Sequence, residues 1–98
     1  MTTVSVLRLN VREGAGEELA RLYDELEVFE HSRRSGGFRS GRLLRPLREG
    51  DPYLVIAEWE RAEDYQAWLD NPVRAELGTH LGPLLADDVA GGELFEEV

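Results

Sequence analysis

The chain predicts an α+β fold, a four-stranded antiparallel sheet with helices on one face in the split-βαβ, ferredoxin-like order. Three observations point there. Four stretches carry β-branched and aliphatic residues bounded by turn signals. Two longer stretches carry apolar residues at three- and four-residue spacing, the pattern of helices with one buried stripe. Their order along 98 residues is β-α-β-β-α-(α)-β, with no repeat or linker between them, so a single domain over 1–98 is expected.

The first strand is "TVSVLRLNV" (3–11), with Val4 and Val6 on one face and Leu7, Leu9 and Val11 on the other. The helix after it is expected over 17–31. Leu19, Leu22, Tyr23, Leu26 and Phe29 form its stripe, Glu17 and Glu18 favour the positive end of its dipole, and Gly36-Gly37 stops it. "FRSGRLLRPL" (38–47) and "YLVIAEW" (53–59) are strands joined by a Gly-Asp-Pro hairpin loop. A second helix runs from about Ala62 to Asp70 and buries Tyr65, Trp68 and Leu69. Asn71-Pro72 then caps and starts a third helix, with Val73, Leu77 and Leu81 inward until Gly82-Pro83. "ELFEEV" (93–98) closes the sheet.

The strands are apolar on both faces, whereas the helices cover only one. The bare face therefore needs a partner, and a second copy of the same sheet is the simplest one, so a homodimer is expected. A net charge of −9 disfavours nucleic acid and an anionic membrane surface. The chain has no cysteine, which excludes thiol catalysis and disulfides. With neither a signal peptide nor a membrane-length apolar run, a cytoplasmic protein is the expectation. His31 and His80 lie too far apart to share one helical turn, so no metal site is expected.

The segments "VREGAGEELARLYDEL", "GFRSGRLLRPL" and, above all, "DPYLVIAEWERAEDYQAWLDNPVRAEL" resemble the antibiotic biosynthesis monooxygenases, a family of dimeric α+β barrels. The resemblance covers nearly the whole chain. It implies a cavity between sheet and helices, bordered by Trp59 at the end of its strand. Some members of the family oxygenate anthrones or hydroquinones with O₂ and no metal or flavin. Others degrade haem, and some relatives with the same barrel have no assigned reaction.

The resemblance makes Trp59 a candidate catalytic residue, and His80 near the end of the third helix is the second. Tyr23, Phe29 and Tyr65, core residues by spacing, are candidate pocket walls, and Arg42 is a candidate substrate contact. An indole N–H and ring suit an aromatic ligand or an oxygenated anion, and a histidine near neutrality suits proton removal. Arg42 belongs to a cationic run, Arg33 to Arg48, that contains no acid; charge pairing is its plainer reading. Some quinone-forming members carry an Asn four residues before the Trp, where this chain has Val55. Haem-degrading members carry an Asn on the first strand, at the position read as Leu7. The expected activity is thus oxygenation of a small aromatic or hydroquinone-type molecule without a cofactor. Haem binding, or ligand binding without catalysis, are the alternatives.

Overall fold

A computed structural model describes residues 1–89 and 91–98. Its elements are β1 (Thr3–Leu9), α1 (Gly16–Glu25), α2 (Val28–Ser35), β2 (Phe38–Leu44), β3 (Tyr53–Trp59), α3 (Ala62–Leu69), α4 (Pro72–Leu81), a 3₁₀ turn (Gly82–Leu84) and β4 (Glu93–Glu96). The four strands form one antiparallel sheet in the order β2-β3-β1-β4. This is the ferredoxin-like order predicted from the sequence.

Register decides which side chains meet. Ser5 lies opposite Ala57, Leu7 opposite Val55, and Leu9 opposite Tyr53. Because residues paired across a ladder share a face, these six and Trp59 look toward the helices. The other face carries Val4, Val6, Leu54, Ile56, Leu44 and Phe95, together with Arg8, Arg42, Glu58 and Glu93. Phe95 is 52% exposed there, and Leu44 is also exposed.

The sequence predicts one helix over 17–31, but the structure divides it. Glu27 adopts left-handed angles (φ 52°, ψ 47°), α1 ends at Glu25, and α2 begins at Val28. The reason is phase. In a continuous helix Val28 would lie nine residues, or about 180°, around from Leu19. The break at Glu27 turns Val28 and Ser32 inward, and both are buried. Ser32 then returns its hydroxyl to the Val28 carbonyl at 3.0 Å.

The remaining boundaries follow local chemistry. The Asn71 side chain accepts the Val73 N–H at 2.9 Å, with Pro72 opening α4. The Asp64 carboxylate accepts the Arg61 N–H at 3.1 Å and so closes the start of α3. The predicted strand over 3–11 ends at Leu9, but Val11 still bridges Leu85. The core joins Leu9, Leu19, Val28, Ala57, Trp59, Tyr65, Trp68, Leu77, Leu81 and Leu85 between the sheet and the helices. No helix among the described residues is long and apolar enough to cross a membrane.

Candidate functional site

The helices do not seal the sheet. A cavity of about 310 Å³ remains between the inner sheet face and α1–α4. Ser5, Leu7, Val55, Ala57 and Trp59 form its floor, and Leu19, Tyr23, Val28, Phe29, Tyr65, Trp68, Arg74, Leu77 and Gly78 contribute helical walls. Asp87 and Asp88, which are exposed, stand at its rim.

Five aromatic rings run through this site in contact. Tyr23 and Phe29 lie 5.7 Å apart, Phe29 stacks on Phe38 at 6.1 Å, Phe38 meets Trp59 edge-on at 5.3 Å, and Trp59 meets Tyr65 at 5.6 Å. Such offset and edge-on pairs add to the burial of the rings themselves. Gly41 permits this packing, since a Cβ there would come within 2.5 Å of the Phe29 ring. The result is a largely apolar, aromatic-walled slot, suited in chemistry to an aromatic ligand.

Polar groups in the slot are few. The Trp59 indole N–H donates to the Ser5 hydroxyl at 3.0 Å, with both side chains buried. Having accepted that bond, the hydroxyl retains its own O–H to give. The Tyr65 hydroxyl accepts the Gly92 N–H at 2.6 Å, tying the approach to β4 onto α3. Burial pushes the Tyr23 phenol up to about 12, against the opposing pull of the Arg74 cation and with a further push from Tyr65. Tyr23 is therefore a proton donor, not a base, near neutrality. The Asp87 carboxylate accepts the Asn10 amide at 3.0 Å.

Trp59, Tyr23, Phe29 and Tyr65, all named from the sequence, come together here. His80 and Arg42 do not, and both placements are corrected. His80 is exposed on α4 beside Glu76 and Thr79, because Leu77 and Leu81 occupy the buried side of that helix. Arg42 pairs with Ile56 on the sheet face turned away from the helices, while its neighbours Gly41 and Leu43 take the inner face. Sequence reasoning missed Ser5, Arg74, Asp87 and Asp88. Ser5 was legible in principle, since it shares strand parity with Leu7 and Leu9. Arg74 sits three residues before Leu77, at the edge of the stripe.

The described cavity lining offers a haem no ready iron ligand. No His, Cys or Met lines the cavity among the described residues. Of its two phenols, Tyr65 is engaged by Gly92 and Tyr23 is raised above the usual phenol range by burial.

The family pattern described as "Antibiotic biosynthesis monooxygenase" matches residues 2–77. A heme oxygenase (mycobilin-producing) from Mycobacterium tuberculosis is 31% identical over 97 residues, covering 98% of this chain and 87% of that protein. Among solved structures, SnoaB, a cofactor-independent oxygenase from Streptomyces nogalater, superposes with a TM-score of 0.77. It is 25% identical, over 99% of this chain and 93% of that one. An antibiotic biosynthesis monooxygenase-like protein from Bordetella bronchiseptica reaches a TM-score of 0.86 at 13% identity, over 99% and 97% of the two chains, a likeness of fold alone.

Proposed function

Because the chain belongs to the antibiotic biosynthesis monooxygenase family, we propose that it oxygenates a small aromatic, hydroquinone- or anthrone-type substrate with O₂ and no resident cofactor. The observation that carries this reading is the aromatic-walled slot with Trp59 and Ser5 at its floor. The 25% identity to a cofactor-independent oxygenase supports it.

The substrate's own acidity drives the reaction. An anthrone-type CH₂, flanked by an aryl ring and a carbonyl-bearing ring system, gives a proton to Asp87 or Asp88, the carboxylates at the rim. The carbanion reduces O₂ and forms a C–O bond. The protonated Asp returns its proton to the peroxide, the remaining C–H bond and the O–O bond break together, water leaves, and CH₂ has become C=O. The rings of Phe38 and Trp59 hold the substrate plane. The free O–H of Ser5 donates to the oxygen that gains charge, in a site that excludes most water. Trp59 thus acts as a wall and as the group that orients Ser5.

O₂ uptake with an anthrone or menadiol, compared between the wild type and Trp59→Phe, tests this. The reading expects a clear fall in rate for the variant; equal rates remove Trp59 from the reaction, and no uptake on any quinol favours a ligand-binding barrel. The 31% identical heme oxygenase supports a second reading, haem binding. That reading expects a Soret band on titration with hemin, and its absence at micromolar hemin removes it.

The bare sheet face, with Val4, Val6, Ile56 and Phe95, supports pairing with a second copy. Light scattering should then give twice the mass of the chain, and a stable monomer would defeat the pairing.

A further inference from the structure

We propose that Arg74 and Tyr23 form a receptor for an anionic oxygen, so that the slot takes a planar aromatic molecule bearing a carboxylate. The inference rests on reading the cavity as a ligand site and adds the chemical class of the ligand.

Arg74 is the one cationic side chain lining the cavity among the described residues. It makes neither an ion pair nor a side-chain hydrogen bond there, although most of the chain's other arginines do. Arg74 and Tyr23 line the same cavity, and the Arg74 charge is felt at the Tyr23 phenol. Tyr23 lines the cavity, and its hydroxyl has no hydrogen-bond partner among the described residues. Half-buried Arg74 and the Tyr23 O–H both have donors to spare and no acceptor among the described residues, a need that a ligand lone pair meets. A carboxylate supplies this in the planar, two-oxygen form that a guanidinium fork matches.

A phenol that stays protonated near neutrality donates to such an anion rather than repelling it. The two rim carboxylates, Asp87 and Asp88, make no ion pair with Arg74. Both are exposed to water, where their field is screened. The aromatic rings that continue from Tyr23 through Phe29 and Phe38 to Trp59 then receive the body of the ligand.

Equilibrium binding distinguishes this from the parent reading. Both tryptophans, Trp59 and Trp68, line the cavity, so quenching of their fluorescence reports occupancy. The probes are 2-naphthoate and its neutral isostere 2-naphthamide, at neutral pH and low salt. The acid is expected to bind the wild type at least about tenfold more tightly than the amide, the scale of a hydrogen-bonded charge. Arg74→Met should remove that preference, and Tyr23→Phe should weaken the acid severalfold and more than it weakens the amide. Equal binding of acid and amide to the wild type overturns the inference and leaves the cavity as a ligand site. A preference that survives Arg74→Met also overturns it. Failure of both probes to bind overturns this inference and the ligand-site reading together. The acid-to-amide ratio of the wild type decides the matter even where a variant does not fold.

Discussion

Replacing Ser5 with Ala removes the only described partner of the Trp59 indole N–H. The bond is 3.0 Å long, and its two side chains are 4% and 1% exposed, so bulk water replaces it poorly. Exchanging one neutral hydrogen bond for another costs little. Stranding a buried donor costs about 1–3 kcal/mol. Ser5→Ala should therefore destabilise the fold by that amount. In a Trp59→Phe background the donor is already gone, and the same change should cost markedly less. The coupling between the two positions is expected at about 1 kcal/mol or more. Urea denaturation followed by circular dichroism measures it, because that signal survives loss of the tryptophan. Single effects that add to within about 0.5 kcal/mol would show that the two side chains act independently, and would refute the pairing as the anchor of the cavity floor.

Other consequences are equally accessible. Tyr65→Phe strands the Gly92 N–H and should cost about 1–3 kcal/mol, with faster amide exchange at Gly92 as its local signature. Asn71→Ala removes the cap of α4 and should lower stability by about 1 kcal/mol in denaturant melts. Glu27→Gly relieves a left-handed backbone and should raise Tm, and a lower Tm would mean that the Glu27 side chain matters more than its φ. Tyr23 has a folded pKa of about 12, above the unfolded value near 10. Its contribution to stability is complete below about pH 10 and is lost as pH rises through about 12. An absorbance titration should find one late-ionising tyrosine that disappears in Tyr23→Phe.

The fold was largely legible because strong local signals agreed with tertiary demand. β3 was predicted as 53–59 and forms at Tyr53–Trp59, and the Asn71-Pro72 cap starts α4 where expected. The break at Glu27 was not legible, since the residue carries no turn signal. Only the tertiary need to bury Val28 and Ser32 with Leu19 forces it. The aromatic part of the site followed from periodicity, which reports what faces inward. Its polar part did not. His80 and Arg42 stood out by residue type, but helix phase and strand parity turn both away from the cavity. Ser5 and Arg74 carry no motif, and they matter through which neighbours the sheet register and the α4 packing give them.

On the function proposed above, the cavity directs O₂ onto an acidic carbon without a resident cofactor. The most direct measurement supplies ¹⁸O₂ and an anthrone to protein shown by its spectrum to be free of haem and dialysed against a chelator. The quinone formed is then weighed by mass spectrometry. Each quinone should carry one ¹⁸O atom, formed at a rate above that of the uncatalysed reaction and reduced in Trp59→Phe. Unlabelled quinone, or labelling no faster than in buffer alone, would contradict it.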